Sequence, residues 1–212
     1  MENHKKANIY PGARPCLASS GAIFLAALLL SAVFLSACGF TVIPPPSPSN
    51  PAPVFLLDHG GHASLVLPAD NGMVRYSYGD WDWYVLRRTG VTEGSRALFR
   101  STPAGLSRKI LSASPTAESV QRTLGIEIEN IFLISADVER IARLRDRLEG
   151  IFDQNRQSLH HDPTFDLDFV RHPEPYSLGH NSNTVVAEWL RELGAEVRGG
   201  GPFSRWTIKE PH

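Results

Sequence analysis

Residues 54–212 predict an α+β domain, a mainly antiparallel sheet packed by helices. Short apolar stretches separated by turn chemistry fill the start of this segment, as strands do. Two of these stretches flank a tight turn and so predict a hairpin, which makes the sheet antiparallel. Later segments repeat their apolar residues at helical spacing.

Taken in order, 54–57 (VFLL) and 63–67 (ASLVL) read as strands, and 69–72 (ADNG) as a turn. Residues 73–78 form the returning strand, with Val74, Tyr76 and Tyr78 alternating. A hairpin turning symmetrically through 69–72 sets His62 opposite Gly79 and beside Asp80. A short helix is expected over 95–99. Ser114 reads as an N-cap with Pro115 at the first helical position, and Gly125 closes that helix. A strand is expected over 126–134, followed by a helix capped by Ser135 and running to about Asp153. Val138, Ile141, Leu144, Leu148, Ile151 and Phe152 mark its inner face, and its charges read as a solvated face. Residues 154–164 read as a polar loop. Residues 183–193 form a last helix with Val185, Val186, Trp189 and Leu190 inward and Gly194 as its stop. A final short strand falls at 204–208. This length suits one hydrophobic core, and there is no internal repeat.

The 212-residue chain is 42% hydrophobic and 20% charged with a net charge of −1, which excludes collagen-like, coiled-coil and mostly disordered chains. Without a basic excess, nucleic acid is not an expected partner. The two cysteines, Cys16 and Cys38, both lie near the start. That excludes a disulfide framework, a zinc ribbon and a cysteine enzyme working from the C-terminal part.

Lys5, Lys6 and Arg14 precede an apolar run, 22–35, interrupted only by Ser31. It is short for a membrane span of ~20 residues and has the length of a signal-peptide core. It ends in Leu35-Ser36-Ala37-Cys38-Gly39, which resembles the bacterial lipoprotein box. The resemblance implies cleavage after residue 37, acylation of Cys38, and firm anchoring by several acyl chains. Gly39 in place of Asp implies the periplasmic face of the outer membrane where there are two membranes. The alternative is an uncleaved anchor in which Cys38 is incidental. Loss of 1–37 moves the net charge from −1 to −3 and leaves no free thiol. Residues 38–53 then read as the lipidated cysteine and a Pro-rich tether. Proline fixes φ and lacks the N–H, so an extended stalk of ~3.1 Å per residue is expected.

Two segments carry possible chemistry. In the first, His59, Gly60, Gly61 and His62 open a strand, and the glycines leave room for a substrate to approach. In the second, His180, Asn181, Ser182, Asn183 and Thr184 run into the last helix, where unpaired N–H groups and the dipole favour a nucleophile or an oxyanion. Tyr78 and Trp81, in an aromatic cluster with Tyr76, Trp83 and Tyr84, read either as core or as cleft wall. Asp58, His59, His62, His160, His161 and Asp162 could in principle ligate a metal. However, His59 and His62 on one strand would point to opposite faces, so neither metal nor cofactor is expected.

These segments resemble the bacterial family known as domain of unknown function 2459. The shared features are His62-x-x-Leu-Val-Leu-Pro68, Tyr78-Gly-Asp80-x-x-x-Tyr84, Arg96-Ala-Leu-Phe99, the helix at Ser135, and Asn183-Thr184. That family has Cys-Asn-Thr where this chain has Ser182-Asn183-Thr184. The order of elements is also similar to permuted papain-like amidases and acyltransferases of the NlpC kind. The resemblance implies a cleft between the His62 strand and the start of the last helix. In an enzyme, Ser182 would attack, His62 act as base and Asp80 orient it, in acyl transfer or amide or ester hydrolysis. In a binding module, the same cleft would hold cell-wall peptide, lipid or an envelope partner. Ser182 could equally be a helix cap. A structural envelope-assembly lipoprotein would instead expose an apolar patch and have no cleft.

Overall fold

The computed structural model describes residues 39–88, 100–202 and 204–210. The apolar stretches pair into a seven-stranded sheet built from β2 (Pro51–Asp58), β3 (Ala63–Ala69), β4 (Gly72–Asp80), β5 (Ala104–Leu111), β6 (Asn130–Asp137), β7 (His160–Asp162) and β8 (Leu167–Arg171). Its order is β6-β2-β3-β4-β5-β8-β7, and every neighbouring pair is antiparallel. A second sheet of order β10-β1-β9 joins β1 (Gly39–Ile43), β9 (Glu196–Gly200) and β10 (Trp206–Ile208). Four α-helices are present among the described residues: α1 (Trp81–Tyr84), α2 (Ala117–Leu124), α3 (Val138–Gln154) and α4 (Ser182–Glu192). The fold is thus α+β, with a large antiparallel sheet packed by helices.

Side chains alternate along each strand, so the sheet has two faces. Val54, Leu56, Leu65, Leu67, Val74 and Tyr76 point to one, where they bury against α3, α4 and the small sheet. Each such full burial contributes roughly 1.5–3 kcal/mol. Phe55, Leu57, Val66, Met73 and Leu111 point to the other and meet Val120 and Leu124 of α2. Further along that second face, Trp81 of α1 packs on Leu167 and Phe169 of β8. Both faces are covered, which is why β2 reads as a continuous apolar run. No described helix is long and apolar enough to cross a membrane.

The hairpin has the symmetric register expected from its turn, with Leu65 opposite Tyr76 and Ala69 opposite Gly72. The helix closed by Gly125 is also present, although Thr116 rather than Ser114 caps it, by accepting from Ser119 N. Strand β6 starts at Asn130 instead of residue 126 and continues through Ser135, so Asp137 caps α3. Helix α4 begins at Ser182 and is capped by Asn181. The expected loop over 154–164 holds a 3₁₀ turn, Arg156–Ser158, and strand β7. The expected helix at 95–99, with the Arg96–Phe99 motif, lies outside the described residues, as does the leader.

The largest correction concerns the tether. Residues 39–43 form the middle strand of the small sheet, and Phe40 stacks on Trp206 at 4.4 Å. Residues 51–53 belong to β2 and pair with Ser135, Ala136 and Asp137 of β6. Pairing of β2 with β3 starts only at Phe55, so Pro51 and Pro53 lie where one side of the strand has no partner. A missing N–H is tolerated there. The stretch between β1 and β2 is a seven-residue connection, 44–50, within the fold.

Candidate ligand-binding cavity

The link from β2 to β3 is a tight loop in which His59 N donates to His62 O at 3.0 Å. Gly60 adopts φ +81, a conformation few other residues accept, and its N–H bonds Asp58 Oδ1 at 3.0 Å. The loop turns the two imidazoles to one side. They stack at 4.6 Å with planes 16° apart, rather than pointing to opposite faces as a continuous strand would require.

Beneath them, the second face of the sheet carries a polar row amid apolar residues. Ser64 follows on β3, and Arg75 and Ser77 on β4. Arg75 is 4% exposed. Its Nε donates to Ser64 Oγ at 3.0 Å, and its Nη2 donates to His59 Nε2 at 3.3 Å. Ser64 Oγ also lies 2.9 Å from His59 Nε2. These donors make Nε2 an acceptor, which places the His59 proton on Nδ1. Arg75 forms no salt bridge among the described residues. The nearby Asp58 is on the opposite face of β2, where it accepts from Ser204 Oγ at 2.5 Å.

This row floors a cavity of about 220 Å³ between the α2 and α1 sides of the second face. Its polar side holds His59, His62, Arg75 and Ser77; Ile126, Phe165, Leu167, Phe169 and Tyr84 make the walls, and Glu127 lies at the margin. Burial, and then the Arg75 cation, push His59 down to about 3 and His62 to about 4, the latter opposed by Asp58. Both rings are therefore neutral near pH 7. Burial lowers Arg75 only to about 10, so it keeps its charge. The His62 ring has no hydrogen bond among the described residues and lines the cavity. With a guanidinium beside these histidines, a metal cation would be repelled and an anion attracted.

The residues expected from sequence are dispersed. Ser182 is the first residue of α4, buried, and its hydroxyl makes no hydrogen bond among the described residues. Helix α4 packs on the first face, whereas the His62 ring is with the cavity on the second. Asp80 does not orient His62. It accepts from Trp83 N at 2.9 Å, capping α1, and from Thr102 Oγ1. The predicted Ser182–His62–Asp80 arrangement is not assembled.

The other expected cleft residues hold the framework. Asn181 and Thr184 form a capping box. Asn183 Nδ2 donates to Pro202 O at 3.1 Å and to Gly61 O at 3.4 Å, clamping the histidine loop to α4. His180 Nδ1 meets Tyr78 OH at 2.9 Å, and its Nε2 is 3.0 Å from Glu174. Trp81 lies under the Arg171 guanidinium at 4.3 Å. Of the predicted lining, His59, His62 and Tyr78 border the cavity, as does Tyr84 of the aromatic cluster; sequence reading missed Arg75, Ser77 and the β8 wall.

No family model, no curated protein and no solved structure matches this chain. The likeness to the domain of unknown function 2459 family therefore rests on the quoted motifs alone.

Proposed function

We propose that this is a lipid-anchored envelope protein that binds a small ligand in the cavity under His59 and His62 without turning it over. One observation carries the reading: Arg75 and His62 keep unused hydrogen-bonding capacity among the described residues and both line that cavity, while Ser182 makes no hydrogen bond there to His62 or Asp80. A serine nucleophile needs a base within hydrogen-bond reach. The volume argues for a small molecule over a cell-wall peptide, since drug-sized ligands occupy pockets of ~300–1,000 Å³. The lipoprotein part of the proposal rests on Leu35-Ser-Ala-Cys38 and the apolar run before it.

A fluorophosphonate probe tests the absence of turnover. It should leave Ser182 unmodified, and labelling that vanishes in Ser182→Ala would overturn the binding-only reading. For the anchor, cells fed an alkyne-tagged palmitate should label the wild-type chain but not Cys38→Ala. Equal labelling of the two would remove Cys38 as the attachment point.

A further inference from the structure

A guanidinium has five N–H donors in a planar fork. Arg75 spends one on Ser64 and one on His59. Its Nη1 has no protein acceptor among the described residues. A buried cation without a counter-charge is costly, and tolerable when something else supplies the negative charge. The neighbours do not supply it: His59 and His62 are neutral, Ser64 and Ser77 are hydroxyls, and Glu127, also in the lining, makes no ion pair with Arg75. Tyr84 adds a phenol near Arg75, and Ile126, Phe165, Leu167 and Phe169 are apolar.

We propose that the cavity is a receptor for a small amphiphilic carboxylate, with Arg75 gripping the carboxylate and Ile126, Phe165, Leu167 and Phe169 enclosing a short apolar tail. This rests on the binding reading above and gives that cavity its ligand class. Arginine suits the task because its parallel N–H groups match the two carboxylate oxygens. The hold of Ser64 on Nε and of His59 on Nη2 fixes the plane of the fork before the ligand arrives, which limits the ordering left to binding. His62, with its ring nitrogens unengaged among the described residues, is placed to hydrogen-bond the same head. The size sets the tail. An apolar cavity of ~150 Å³ takes benzene, so about 220 Å³ takes a carboxylate with roughly five to seven carbons. A free fatty acid and the C-terminal apolar residue of a peptide share this chemistry.

The test is calorimetric titration of the full-length chain in a non-ionic detergent with hexanoate, N-acetyl-leucine, hexan-1-ol and acetate. At least one of hexanoate and N-acetyl-leucine should bind, and which is tighter tells a free acid from a peptide end. Hexanol, without the charge, and acetate, without the tail, should each bind about tenfold or more weakly than the better acid. Arg75→Met should bring that acid down to the level of hexanol. Arg75→Lys, which keeps the charge and loses the fork, should weaken the acid by about fivefold or more and hexanol by less, and it serves if the Met variant does not fold. If hexanol matches the acids and neither Arg75 variant changes that, the carboxylate inference falls while the cavity remains a binding site. If none of the four binds at millimolar concentration, both readings fall.

Discussion

Ser182 and Asn181 are neighbours with opposite expectations. Asn181 is 3% exposed; its Oδ1 accepts from the N–H groups of Asn183 and Thr184, and its Nδ2 donates to Leu178 O at 2.7 Å. Replacing Asn181 with Ala should cost about 1–2 kcal/mol in urea unfolding, whereas Ser182→Ala should stay within ~0.5 kcal/mol. A large loss in Ser182→Ala would mean that its hydroxyl has a partner. The half-buried histidines make stability depend on pH. Folding lowers them from 6.5 to about 3 for His59 and about 4 for His62, so below pH 6.5 the unfolded chain binds more protons. Their contribution is complete above about pH 6.5 and is lost as pH falls toward 4. The urea midpoint should drop between pH 7 and pH 5.5, above the range where carboxylates titrate, and should drop less in His62→Gln. An unchanged slope in that variant would mean that His62 is not held neutral. At this scale the sequence identified both histidines, because a His-Gly-Gly-His loop at a strand start is unusual chemistry. It hid Arg75. Val74, Tyr76 and Tyr78 alternate inward, so the residue between the first two reads as facing solvent. Only the covering of the second face by α1 and α2 buries it, and no local apolar pattern marks Arg75 as lying under that cover.

Among the elements, β1 separates two accounts of residues 39–53. If these residues were a stalk, Phe40 would be solvated and its removal would leave the domain unaffected. In the fold Phe40 is 2% exposed and stacked on Trp206, so Phe40→Ala should cost about 3 kcal/mol or more in chemical unfolding. A cost near zero would restore the stalk. The pairing of β1 with β9 allows a second check. Gly199 adopts φ +84, and a Cβ there would come within 2.2 Å of Gly39 O. Gly199→Ala should therefore destabilise the domain beyond the ~1 kcal/mol typical of backbone strain alone. Hydrogen exchange should also rise at the amides of β1 and β9 ahead of those in β3 and β4. The hairpin, α3 and α4 were legible because their signals are local: a turn, a helical apolar stripe, a glycine stop. Strands β1, β5, β8 and β9 were not. The polyproline composition of 44–53 masked β1, whose partners β9 and β10 lie more than 150 residues on. Strands β5 (AGLSRKIL) and β8 (LDFVR) mix charge into short runs that only the sheet makes strands.

For the whole molecule, the position of β1 bears on how an anchored domain would meet a bilayer. A stalk over 41–53 at ~3.1 Å per residue would hold the domain ~40 Å from the lipid. With β1 starting at Gly39, an acylated Cys38 has no spacer between the lipid and the small sheet. The N-terminal end of β1 is linked by a short chain of contacts to the histidine loop. Gly39 pairs with Gly200, Pro202 follows two residues on, and Asn183 bridges Pro202 to Gly61 in the histidine loop. An anchored molecule would thus hold that loop near the headgroups, where an amphiphilic carboxylate partitions. Neutron reflectometry of the mature, acylated chain on a supported bilayer should find protein density directly against the headgroups. Pro44→Gly should not change the profile, because 44–50 is an internal connection. A solvent layer ~40 Å thick would mean that β1 leaves the small sheet at the membrane and that the Phe40–Trp206 stack opens there.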